Sequence, residues 1–71
     1  MALSDKIRIL LIRRGNISEA ELARRLGVSP QNLNHKMKRD NFTEKDLSDI
    51  ATALDCTLTI SFKLNDTGEE V

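Results

Sequence analysis

Gln31, Asn32, Asn34 and His35 stand within five consecutive positions, and Lys36, Lys38 and Arg39 follow at once. A carboxamide carries a donor and an acceptor on one plane, the pair that matches N6 and N7 of adenine. Long cations beside it suit phosphate oxygens, which position a protein without informing it of sequence. Side chains of these types in this order can therefore read base edges while their neighbours hold a nucleic-acid backbone. Taken alone, a polar run of this kind is more often solvated surface. A metal site at His35 is disfavoured, because the positions one turn away are Gln31 and Arg39, which ligate poorly. Met37 is expected in the core one turn beyond Leu33, and Cys56 as a small buried residue.

Other chemistries are poorly provided for. No glycine loop cradles a phosphate, no Ser/His/Asp set is apparent, and the glycines are scattered. A chain of 71 residues is also short for a deep substrate pocket. No enzyme, cofactor or small-molecule substrate is expected. The single cysteine excludes an intramolecular disulfide. No apolar run is long enough to span a bilayer, and no charged-then-apolar leader opens the chain, so a reducing cytoplasm is the expected location.

The formal charge is zero, but it is unevenly spread. Through Asp40 there are nine basic and four acidic residues, a net +5; from Asn41 onward there are two basic and seven acidic, a net −5. The first half would meet a polyanion. Hydrophobic residues make up 39% and charged residues 31%, which is globular composition. The only aromatics are Phe42 and Phe62, so the core must be aliphatic.

Helix punctuation divides the chain into elements that would position those side chains. Ser4 can cap a first helix running to Arg14, with Gly15 taking a left-handed conformation after it. Ser18-Glu19-Ala20-Glu21 reads as a capping box opening a second helix that ends at Gly27. Val28 fills the turn. Ser29 caps a third helix, with Pro30 at its first position, where a missing N–H costs nothing. That helix should end near Lys38 or Arg39. Thr43 opens a fourth, with Leu47, Ile50, Ala51 and Leu54 forming an amphipathic stripe. The second and third helices are short and joined by three residues, the spacing of a helix-turn-helix. At their crossing Ala23 must be small, and Leu33 must pack back on Leu22 and Leu26.

After Cys56 the period changes from helical to alternating. Leu58, Ile60, Phe62 and Leu64 would share one face of a strand. No second strand is evident in the chain, and a lone strand leaves unpaired backbone groups and a sticky edge. A second copy of the same strand across a two-fold axis resolves this, so these four residues are expected to make a homodimer. Packing on the helices alone, or cover by a larger partner, are the alternatives. Ile9 and Ile12 lie off the apolar stripe of the first helix and suit the strand or such an interface.

The stretch from Ser18 to Leu33, with Ala23, Gly27 and Leu33 in register, resembles the phage-repressor and Cro-like helix-turn-helix family, also called the XRE class. The resemblance runs from about Leu3 to Leu54. It implies a mainly α, four-helix, lambda-repressor-like domain over residues 1–55. To this the chain adds a dimerisation strand at 56–64, in place of the family's usual fifth helix, and a flexible acidic tail at 65–71. Asp55 stands where the family has a glycine. Glu19 stands where it often has a glutamine that bonds phosphate, and a carboxylate there would repel phosphate unless it turned away.

The resemblance further implies that the third helix enters the major groove. Base contacts then fall to Gln31, Asn32, Asn34 and His35, with Pro30 and Gln31 nearest the groove floor. Phosphate contacts fall to Arg13, Arg14, Ser18, Arg24, Ser29, Lys36, Lys38 and Arg39. The expected function is sequence-specific binding of double-stranded DNA by a homodimeric, phage-type repressor at a palindromic operator. Two alternatives stay open: the antitoxin of a toxin–antitoxin pair, and a protein-interaction module that docks a partner through the acidic half.

Overall fold

The computed structural model describes residues 2–71. Four helices follow one another: α1 (Leu3–Arg13), α2 (Glu19–Leu26), α3 (Pro30–Arg39) and α4 (Glu44–Ala53). Three of them start as their sequences dictate. The hydroxyls of Ser18, Ser29 and Thr43 accept the backbone N–H of Glu21, Asn32 and Asp46. The Thr43–Asp46 box is reciprocal, since the Asp46 carboxylate takes the Thr43 N–H at 2.9 Å. The Ser18 box is only half made. Glu21 does not return to the Ser18 N–H, because its carboxylate is engaged by two arginines of its own helix.

The start of α1 differs from expectation. The helix begins one residue before Ser4, and Ala2 at its N-cap makes no side-chain bond. The cap comes instead from Asp40, at the far end of α3. Its two carboxylate oxygens accept the N–H groups of Ser4 at 2.7 Å and Leu3 at 3.3 Å. Ser4 is thereby buried inside the first turn rather than capping it.

The core is aliphatic. Ile7 and Leu11 from α1, Leu22 and Ala23 from α2, Leu33 and Met37 from α3, and Ile50 and Leu54 from α4 form one buried cluster. Leu22 and Ala23 are fully buried where α2 and α3 cross, so any added methylene on Ala23 must push the helices apart. Gly27 closes α2 at φ +72°, a left-handed conformation natural to glycine. Asp55 takes a similar position after α4 at φ +56°, and Asp40 after α3 at φ +53°. Cys56 is half-buried beneath the end of α4, packed against the core rather than within it.

The expected C-terminal strand is absent among the described residues. Residues 57–64 are neither helical nor paired, apart from one antiparallel bridge between Lys63 and Glu70. Phe62 exchanges backbone bonds with Val71 at 3.0 and 2.8 Å, and the Leu64 N–H reaches the Glu69 carbonyl at 2.8 Å. The reason is geometric: a strand exists only with a partner, and a single copy supplies one only where its last residues fold back. Leu58, Ile60, Phe62 and Leu64, expected at a dimer interface, are exposed in this single copy, as are Ile9 and Ile12 of α1.

Candidate nucleic-acid interface

Helical periodicity gives α3 two unlike faces. Leu33 and Met37, four residues apart, point into the core. Gln31, Asn32, Asn34, His35, Lys38 and Arg39 are exposed. The α2–turn–α3 geometry sets this outer face beside the first turn of α2. Glu19, Ala20, Pro30, Gln31, Asn34 and His35 together line one shallow groove. Three of the four expected base-contacting residues are thus brought together. Asn32 is not among them: it lies on the rim of an apolar pocket between α3 and α4, with Val28, Leu33, Phe42 and Ile50.

The expected phosphate contacts fall into distinct groups. Arg13, Lys38 and Arg39 are exposed, and among the described residues they make no ion pair. Ser18 and Ser29 spend an acceptor lone pair on their caps but keep an O–H donor. Lys36 donates to Asp46 Oδ1 at 2.7 Å, joining α3 to α4. That bond, with the N–H of Thr43, holds the Asp46 carboxyl below its ordinary range. Arg14 is turned toward the end of α4, where its guanidinium donates to the Asp55 carbonyl at 3.1 Å.

Arg24 is the most engaged of the set. Its Nε and Nη2 meet the two oxygens of Glu21 at 2.8 and 2.6 Å, and Arg25 Nε joins at 3.0 Å. The bonds from Arg24 first and Arg25 second lower the Glu21 carboxyl to about 2. The same bond raises the Arg24 guanidinium further above its usual value. Arg25 also donates to the Ala53 carbonyl at 3.3 Å, tying α2 to the end of α4.

One residue near the groove was not singled out in the sequence. Arg8 of α1 places its Nε 3.9 Å from Glu19 Oε2 and its Nη1 3.6 Å from Asp5 Oδ1. The sequence signal was partial: Glu19 stood out, but a cation eleven positions earlier on another helix carries no local mark.

The chain shares this arrangement with a known family. The family model for the Cro/C1-type HTH DNA-binding domain matches residues 6–59, more than half of the chain. No curated protein and no solved structure matches it. Among the described residues no helix is long and apolar enough to cross a membrane.

Proposed function

We propose that this chain, which belongs to the Cro/C1-type helix-turn-helix DNA-binding domain family, is a cytoplasmic repressor without catalytic activity that binds a palindromic operator as a homodimer. Helix α3 lies in the major groove, and α2 crosses the adjacent backbone. The observation that carries the reading is the shared groove of Gln31, Asn34 and His35 beside the start of α2. Its amides and imidazole face solvent together, with Lys38 and Arg39 exposed on the same helix.

The homodimer is supported by the apolar stripe of the C-terminal segment, where Ile60 is 55% and Phe62 75% exposed. Contiguous exposed apolar surface on a small soluble domain marks an interaction site. The folded-back tail uses the backbone groups of Phe62 and Leu64. In a strand the backbone groups of Ser61 and Lys63 point the opposite way, so one edge stays open to a second copy. Two recognition helices related by a two-fold axis would sit about 34 Å apart, one turn of DNA.

The test is a titration against random duplex at two salt concentrations, followed by selection of the tightest sequences. Affinity falling steeply with salt and a palindromic consensus are the expected results. Absence of binding at low salt would remove the reading and favour a protein-docking module.

A further inference from the structure

We infer that Arg8 is a further phosphate-binding residue of the interface, and that it offsets the charge of Glu19 beside the groove. The inference rests on the DNA-binding reading above. Glu19 is the structural link. It lines the groove of Pro30, Gln31, Asn34 and His35, and also the neighbouring cleft with Arg8, Leu11, Ile12, Ile17 and Ser18. Arg8 therefore borders the base-reading groove through a shared side chain, although it belongs to α1.

The electrostatics require a cation there. The first helix of a helix-turn-helix crosses the DNA backbone, and Glu19 is the first residue of α2. An unanswered carboxylate at that crossing would repel phosphate. Arg8 is the cation placed to answer it, and it is free to do more. Its side chain is 48% exposed and its two ion-pair contacts are 3.6 and 3.9 Å long, beyond hydrogen-bond length. Arg24 contrasts with it, since its Nε and Nη2 are both hydrogen-bonded to Glu21 and only Nη1 is left. Glu19 approaches the Nε edge of Arg8. A guanidinium has five N–H donors in a planar fork, so with Glu19 near Nε and Asp5 near Nη1 it is Nη2 that is left for a phosphate. Glu19 and Asp5 thus flank the guanidinium as counter-charges without saturating it, and the phosphate takes the remaining nitrogen.

The experiment measures binding of a selected operator duplex over a series of salt concentrations, for the wild type, Arg8→Ala, Arg8→Lys, Glu19→Gln and the Arg8→Ala/Glu19→Gln double variant. Arg8→Ala is expected to weaken binding several-fold for all sequences alike and to make the log–log salt dependence shallower by about 0.9 per protomer. Arg8→Lys keeps that slope while losing affinity, because a point charge replaces a fork. Glu19→Gln is expected to tighten binding by a larger factor when Arg8 is absent, where the carboxylate only repels, than when Arg8 is present to offset it. Alanine at an exposed helical site preserves the fold, which circular dichroism melting checks. The inference is overturned if Arg8→Ala keeps the wild-type affinity and slope. It is equally overturned if Glu19→Gln tightens binding by the same factor with and without Arg8. Failure of the wild type to bind any duplex would instead remove the DNA-binding reading itself, and the inference with it.

Discussion

The carboxylate of Asp40 accepts the backbone N–H of Ser4 at 2.7 Å, so the residue that ends α3 also begins α1. Its second oxygen takes the Leu3 N–H at 3.3 Å. These bonds, led by that from Ser4, hold the Asp40 carboxyl below its ordinary range. The contact matters to function because the two helices it joins carry different parts of the candidate interface. It fixes the end of α3 against α1, on which Arg8 stands.

Asp40→Ala should lower the melting temperature by a few degrees, because two helix-terminal N–H groups lose their acceptor. Asp40→Asn should retain most of that stability. Asparagine offers one acceptor oxygen and tolerates the left-handed φ of +53° found here. Thermal melts at neutral pH separate the two. An alanine variant as stable as the wild type would show that water replaces the cap at no cost.

Local rules made α2, α3 and α4 legible, because each cap needs only a hydroxyl and an N–H three residues away. The turn was legible for the same reason: Gly27, Ser29 and Pro30 act within their own neighbourhood. What was not legible was competition between local and distant partners. Nothing near Ser4 reveals that a carboxylate 36 residues later is the better acceptor. Glu21 had two possible engagements within its own turn, and charge-assisted bonds to Arg24 and Arg25 prevailed over a neutral N–H. The alternating pattern after Cys56 predicted a strand that is absent among the described residues. Whether such a segment is a strand depends on its partner, which periodicity does not specify. That Gln31, Asn34 and His35 lie on the outer face of α3 was readable from their spacing to Leu33 and Met37. The union of Glu19 and Arg8 depended on how α1 packs.

Acid should destabilise the fold in a defined window. Glu21, Asp40 and Asp46 all have carboxyls lowered in the folded state. Each therefore contributes stability that is fully present above its unfolded value. That contribution is lost as the pH falls through the folded one. For Glu21 the window runs from its ordinary 4.5 down to about 2. Melting temperatures measured from pH 7 to pH 2 should fall through this range, less steeply in high salt, because the pairs are exposed. Glu21→Gln should flatten part of that fall. It should also tighten DNA binding at neutral pH, since the Nε–Nη2 edge of Arg24 is then released from the carboxylate. Unchanged affinity would mean that Arg24 does not reach phosphate.

Base and backbone contacts should separate in a specificity assay. Gln31→Ala is expected to cost about 1–3 kcal/mol on the selected operator and to relax preference at one base position per half-site. Lys38→Ala should weaken binding to all sequences by a similar factor and reduce the salt slope by about 1. Selected-sequence profiles of the two variants provide the check. A Gln31→Ala profile identical to the wild type would move base reading to Asn34 and His35.

Asp55 occupies a left-handed position at the end of α4, at φ +56°. Glycine is the usual residue there, and an acidic side chain also faces the negative end of the helix dipole. Asp55→Gly should therefore stabilise the domain by about 0.5–1 kcal/mol, read as a higher urea midpoint at constant m. The Arg14 bond uses the Asp55 carbonyl and survives the change. A lower midpoint would indicate that the added freedom of glycine in the unfolded chain outweighs the relieved strain.

Assembly is tested most directly at Ile60. The side chain is 55% exposed in the single copy, and among the described residues its N–H makes no backbone bond. Ile60→Asp should thus lower the melting of an isolated protomer only slightly, because the side chain is more than half exposed at the edge of the cleft it shares with α1 and α4. In a dimer joined through the Leu58–Leu64 face, the same change buries a carboxylate against its two-fold mate or a neighbouring apolar side chain. That penalty is several kcal/mol per unpaired charge, enough to dissociate a small interface. Sedimentation equilibrium should then report a dimer mass for the wild type and a monomer mass for Ile60→Asp. Operator affinity should fall more steeply than non-specific affinity, because each half-site would be held by one recognition helix alone. A variant that keeps the dimer mass would place the interface elsewhere, with exposed Ile9 and Ile12 of α1 the next residues to change.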